Sequence, residues 1–409
     1  VAAGVLAVVV AASLLIVAPG AEAAFDAPKR VLALLGIAVA AIAIWVVPAP
    51  RRELPPVARW LRWLVVVALV GAVVAALASP RRAMAVDTVR VLLVGALCLP
   101  LGASRALDDG RWRLPLLAFL AGCVIDAVMS LLQAAGLAQP FALEAVAGRA
   151  PTGAMLGNEG QLALVLALAV IAAVGIASVG RRPAVRVSSA VIVVVALAAL
   201  LVNRNLTALL AVTVGLGVLA LVLGGRRALL PLAAGLVVFA GVMAVVPPLH
   251  DRVARVVEDA RAGRWDDLTS NRLGAWAAAL EMVRARPLTG VGPGTFGADF
   301  VPYRIAAELR WRTRFVIPVV TSTFSETHSD YLQALAELGV PAGLAAVIAA
   351  AVLLVALARR AGPASPEAAV LLALLCGGAV AALTWFPLQR PASAVPLLLA
   401  AGRAWRLLA

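Results

Sequence analysis

From Arg186 to Gly224 the chain reads RVSSAVIVVVALAALLVNRNLTALLAVTVGLGVLALVLG. Two apolar runs, 186–202 and 206–224, are parted only by Asn203-Arg204-Asn205. A helix of about 20 such residues crosses a bilayer, and three residues suffice for a tight turn, so this stretch predicts a transmembrane helical hairpin. Further apolar runs lie outward of it at 2–19, 31–49, 61–79, 89–104, 114–137, 160–179, 228–247, 339–358, 367–386 and 391–408. The expected fold is therefore an all-α polytopic membrane protein with about twelve transmembrane helices. Composition agrees: 63% of the 409 residues are hydrophobic and 14% are charged, against about half and about a quarter in soluble domains.

The formal charge of +14 would suggest nucleic acid in a soluble chain. Here the arginines sit in pairs between apolar runs, with no basic face interleaved with aromatics, which argues against nucleic-acid binding and for anionic lipid. Cys98, Cys123 and Cys376 lie inside apolar runs without CxxC spacing and read as small hydrophobes. The connections after even-numbered spans, with the C-terminus, hold 16 Lys and Arg; the short odd ones hold 8. That bias places the even connections and both termini in the cytoplasm, with Arg81 and Arg82 arguing weakly the other way. Residues 18–24 also resemble a signal-peptidase site after a short apolar region. The expected division is 1–248, spans one to nine; 249–338, a large extracytoplasmic loop of short helices; and 339–409, spans ten to twelve.

The loop is the only long polar interval, and it holds both histidines and 11 of the 35 Lys and Arg. Ser270 or Asn271 is a suitable N-cap for a helix with Leu273, Trp276, Leu280 and Val283 on one face. Arg272 would then stand at a helix N-terminus, a favourable place for phosphate oxygens. His328 opens a second amphipathic segment with Glu326 and Asp330 nearby, and a carboxylate neighbour would raise its basicity and fix its tautomer, as suits a general base. Arg204, flanked by asparagines, either snorkels or binds an anionic headgroup. The segment Pro287–Gly294 reads as a tight glycine-rich turn without a P-loop lysine. Asp126 and Gln133 share one face of the fifth span, either as an interhelical bond or as a cavity lining. Trp60, Trp63 and Trp385 read as interfacial anchors. No HExxH or Cys/His pair is present, so a protein-held metal is not expected.

Four stretches resemble, in order, motifs of the O-antigen ligase and polymerase family of bacterial envelope glycosyltransferases. Gly153 to Ala163 is similar to the family's Gly-x-x-x-Gly-Asn-x-Asn-x-x-Ala, with Gly160 at the second Asn. Asn203-Arg204 resembles its Ser-Arg helix start. Arg272 to Gly294 resembles its Arg-x-x-x-Trp helix and following glycine-rich turn. Thr327 to Gly339 resembles its His-Asn-x-x-Leu-x-x-x-x-Glu-x-Gly, with Ser329 in place of Asn. The resemblance implies a GT-C-like bundle in the bacterial inner membrane with the loop facing the periplasm or exterior. It implies inverting, metal-independent and cofactor-free transfer of a glycan from undecaprenyl diphosphate to a hydroxyl on lipid A core, a lipid-linked repeat unit or another acceptor. By the same resemblance His328, Arg272 and Arg204 match the essential residues, and Asn158, Glu326, Asp330 and Tyr331 are expected to contact substrate. A secondary transporter or lipid flippase is the competing class.

Overall fold

The computed structural model describes residues 1–21, 23–45, 55–138, 152–228, 241, 247–315 and 324–409. Their regular elements are all helices, with no strand among them. The helices are α1 (Ala2–Leu15), α2 (Ala27–Trp45), α3 (Pro56–Ala78), α4 (Arg82–Ala96), α5 (Cys98–Gly102), α6 (Arg113–Ala134), α7 (Glu159–Val179), α8 (Pro183–Asn203), α9 (Leu206–Gly224), α10 (Pro247–Arg261), α11 (Trp265–Leu268), α12 (Leu273–Ala285), α13 (Phe296–Trp311), α14 (Asp330–Arg360), α15 (Pro366–Ala381) and α16 (Pro391–Leu408).

Eight of the predicted spans are met by helical stretches long and apolar enough to cross a membrane: α2, α3, α4 with α5, α6, α7, α8, α9 and α14. The protein is thus a multi-pass α-helical membrane protein, and eight of the twelve expected spans are met among the described residues. α1 and α15 have 14 and 16 residues, and α16 carries Arg403 and Arg406 near its end. The predicted span 228–247 lies almost wholly outside the described residues.

α7 is apolar on every side, and a helix of that kind belongs in a core. Leu162 to Ala173 are all buried, packed by α8, α9 and α15. Ile171 fits between two glycines: a Cβ on Gly215 of α9 would come 2.4 Å from its Cδ1, and one on Gly377 of α15 would come 2.6 Å from it. Small residues that let helices approach are the usual means of packing in lipid, where apolar burial adds little. α3 and α8 instead expose apolar stripes, Val66, Val70, Val74 and Leu77 on one and Val187, Val191 and Val194 on the other, at the spacing of a lipid-facing surface.

At one end of the bundle Arg403 binds Asp108 at 2.7 Å and Glu367 at 2.6 Å, while Arg406 binds Asp108 at 2.8 Å. At the other end meet the start of α7, the α8–α9 turn and the segment after α15. Asp126 and Gln133 act there as a clamp. Asp126 Oδ1 accepts from the Met155 N–H at 3.0 Å and Gln133 Oε1 from the Ala154 N–H at 2.9 Å. Ser130 Oγ donates to the Thr152 carbonyl at 2.9 Å, and the buried Lys29 donates to that of Met155 at 2.7 Å. Every backbone group near the bundle interior must find a partner, and these side chains supply them for the loop leading to Asn158.

α12, α13 and the first turns of α14 form a second, smaller core around Phe296, Phe300 and Met282. The glycine-rich turn fastens it to the bundle. Within α14 the backbone breaks at Gly339, with φ 78° and ψ 167°. Across that break the Val291 N–H donates to the Ala336 carbonyl at 2.9 Å, Gly292 to Glu337 at 3.0 Å and Val340 to Pro287 at 2.7 Å. The buried Glu337 carboxylate accepts from the Gly294 N–H at 2.8 Å and the Phe296 N–H at 3.2 Å.

Candidate active site

An open cavity of about 1000 Å³ lies where the smaller core faces this end of the bundle. Its wall is drawn from the α7 start (Asn158, Gly160), the α8–α9 turn (Asn203 to Thr207), α10 and α11 (Arg255, Asp259, Asp267), the α12 start (Asn271, Arg272, Trp276), and Thr384 and Trp385. Arg204 and Arg272, far apart in sequence, are therefore brought together. Arg255, on the exposed face of an amphipathic helix, is a third guanidinium that sequence reasoning missed. The wall acids Asp259 and Asp267 face Arg264, at 2.8 and 3.8 Å, and Glu159 accepts from Thr152 Oγ1 at 3.1 Å.

The start of α12 differs from expectation. Neither Ser270 nor Asn271 caps it; Arg272 occupies the N-cap position itself. The chain folds back after α11, with the Asn271 N–H on the Asp266 carbonyl at 2.6 Å, and that return forces left-handed φ of 57° and 63° on Ser270 and Asn271. Arg272 Nη1 donates to the Thr384 carbonyl at 2.8 Å, and its guanidinium lies 5.5 Å from the Trp385 ring centre. Thr384 Oγ1 also bonds Thr207 Oγ1 at 2.8 Å, three residues after Arg204. The 384–385 segment thus joins the two arginine-bearing elements.

Trp385 also reaches His328. Their ring centres are 5.3 Å apart, and Phe324 and Phe386 close two more sides of the imidazole at 5.5 and 5.1 Å. His328 is not part of the cavity wall; it stands one ring behind it. The residue does not start a helix. It has φ 57°, and the helix begins at Asp330 after Ser329, whose Oγ faces the Leu332 N–H at 3.5 Å. Left-handed backbone in a non-glycine residue is uncommon and clusters at functional sites; here Arg204, Ser270, Asn271 and His328 all adopt it.

Among the described residues the expected carboxylate support for the imidazole is absent. Nδ1 lies 3.3 Å from the Glu326 backbone carbonyl. A carbonyl only accepts, so that contact puts the proton on Nδ1 and leaves Nε2 as the acceptor. The Glu326 carboxylate goes to Arg390 at 2.7 Å, and the Asp330 carboxylate accepts from the Leu388 N–H at 2.9 Å. His328 is consequently less basic than expected. Burial, then Arg272 and Arg390, push its pKa from 6.5 down to about 4 against the Glu326 carbonyl.

The expected substrate contacts divide. Asn158 lines the cavity, where its Oδ1 also caps α7 by accepting from Gly160 and Gln161 at 2.9 and 3.0 Å. Glu326, Asp330 and Tyr331 are not on the wall, and the Tyr331 hydroxyl donates to the Ala379 carbonyl at 2.8 Å. Trp385, read from sequence as an interfacial anchor, is instead stacked on Phe386 at 4.6 Å inside the site. The aromatic pair at the end of an apolar run, before Pro387, was the available signal.

Residues 191–347 match the family model described as O-antigen ligase. The chain carries a domain of the O-antigen ligase family. The matched segment of this ligase-family domain includes Arg204, Arg272 and His328, whereas Asn158, Thr384 and Trp385 lie outside it. The family assigns the chain to glycan transfer of the O-antigen ligase or polymerase type on lipid-linked substrates. No curated protein matches the chain in a sequence comparison.

Proposed function

We propose that the protein transfers a glycan from undecaprenyl diphosphate to an acceptor hydroxyl at the extracytoplasmic face of the bacterial inner membrane. The acceptor is lipid A core, a lipid-linked repeat unit or another hydroxyl. The observation that carries the reading is the convergence of Arg204, Arg255 and Arg272 on one cavity at the end of a membrane bundle. Guanidinium groups pair phosphate oxygens through two parallel hydrogen bonds. In this reading the acceptor oxygen bonds the anomeric carbon as the bond from that carbon to the diphosphate oxygen breaks. The arginines stabilise the departing charge, so the leaving group needs no proton. His328 Nε2 takes the acceptor's proton, the acceptor approaching across the edge of Trp385. A bound diphosphate would offset the Arg272 charge that holds the imidazole acidic, strengthening the base when the donor is in place. Attack opposite the leaving group gives inversion, and no step calls for a metal.

The test is transfer by purified protein in detergent with no ion gradient, which a transporter would not perform. Arg272→Lys keeps the charge but loses the planar fork, and turnover is expected to fall at least about tenfold. Near-normal turnover would reduce Arg272 to a diffuse charge.

A further inference from the structure

Asn203, the last residue of α8, is 3% exposed, and neither its Oδ1 nor its Nδ2 has a partner among the described residues. Buried amides are almost always satisfied, because leaving one unpaired forfeits its hydration without return. This one lies on the cavity wall. Three neighbours on the same wall share its condition: Asn271 Oδ1, Trp276 Nε1 and Trp385 Nε1 are buried without hydrogen-bond partners among the described residues. The orphaned atoms are uncharged and mixed in kind, two amide oxygens that accept and an amide nitrogen and two indole N–H groups that donate. A phosphate has only acceptors and would leave both amide oxygens facing like charge. A hydroxyl both donates and accepts, so a polyhydroxylated ring satisfies the whole set.

Position narrows the assignment. Asn203 immediately precedes Arg204, and Asn271 immediately precedes Arg272. Each orphaned amide is thus one residue from a guanidinium, and left-handed backbone at Arg204 and Asn271 accompanies both members of each pair lining the cavity. We infer that Asn203, Asn271 and Trp276 form a specificity subsite for the sugar bonded directly to the donor diphosphate. The inference rests on the glycan-transfer reading, and it assigns the neutral half of the cavity while the arginines hold the charged half.

The test uses the full chain in detergent and compares farnesyl diphosphate with farnesyl-diphosphate-linked glucose, galactose and N-acetylglucosamine. At least one sugar-bearing probe is expected to bind about tenfold or more tightly than farnesyl diphosphate, the scale of a satisfied buried hydrogen bond. Asn203→Leu is expected to erase that increment while leaving farnesyl diphosphate binding within about twofold. The same variant removes an unpaired buried amide and is expected to raise the Tm. Sugar-bearing probes that bind no tighter than farnesyl diphosphate, an increment that survives Asn203→Leu, or a lowered Tm would each overturn the subsite. If farnesyl diphosphate binds equally well to Arg272→Ala, the phosphate reading itself fails and takes the subsite with it.

Discussion

Three aromatic rings surround the His328 imidazole, and Arg272 and Arg390 add positive charge to its surroundings. A proton there loses hydration and meets repulsion, so the free protein keeps the ring neutral down to about pH 4. An imidazolium cannot accept a proton, so kcat/KM is expected to fall as pH drops through about 4, not through the 6.5 of an unperturbed histidine. The kcat inflection should lie higher, because the bound diphosphate compensates Arg272. An Arg390→Gln variant removes one cation and frees the Glu326 carboxylate, and should move the kcat/KM inflection upward; an unmoved inflection would assign it to another group. Single residues were partly legible. Arg204, Arg272 and His328 stood out because each sits in a stretch that resembles a family motif. Trp385 did not, since a tryptophan beside a span end equally signals an interface. Two departures from the family pattern have local causes. Ser329 sits at the N-cap, a position where Ser and Asn serve alike. A Cβ on Gly160 would lie 2.4 Å from the Trp385 indole, so glycine is the residue that admits this ring.

At the scale of elements, the boundary that matters most is the break in α14. Its apolar pattern suggested a span from residue 339, and the backbone does break there, at Gly339, into two helical segments between Asp330 and Arg360. What could not be read was the other partner, the glycine-rich turn, because three of its hydrogen bonds to residues 336–340 are backbone bonds that leave no side-chain signature, with only the Gly294 N–H reaching the Glu337 carboxylate. A Cβ on Gly339 would meet the Leu288 carbonyl oxygen at 2.4 Å, at a φ of 78° that disfavours any side chain. Gly339→Ala is therefore expected to cost about 1–3 kcal/mol and to lower the Tm of the purified protein by several degrees. An unchanged Tm would mean that the turn does not grip the helix as described. Asp126 and Gln133, ambiguous between bond and lining, proved to bind the backbone of the loop before α7.

For the whole molecule, hydropathy revealed the bundle, since runs of twenty apolar residues admit little else, while among the described residues eight of the spans meet the length and apolarity of a crossing and the short α1 and α15 do not. Arg81, which ran against the sidedness bias, and two further cations have partners at the end of the bundle that holds the cavity. Arg81 pairs with Asp299 of α13 at 2.7 Å, Arg390 bridges Asp26 and Glu326 at 2.6 and 2.7 Å, and Lys29 binds two backbone carbonyls. If the proposed orientation holds, a reporter fused near Gly263 is active only outside the cytoplasm and one near Arg182 only inside; reversed signals would separate the cavity from externally presented donors. The central claim is that one cavity binds the lipid diphosphate through arginines while His328 removes the acceptor's proton. The most direct measurement compares His328→Ala with wild type in detergent, following donor binding and glycan transfer in the same preparation, with His250→Ala, at the exposed histidine of α10 outside the cavity wall, as control and with EDTA present. The account predicts unchanged donor binding, transfer reduced by about 10²- to 10⁴-fold in His328→Ala alone, and no effect of EDTA. Transfer at the wild-type rate in His328→Ala, an equal loss in His250→Ala, or abolition by chelation would contradict it.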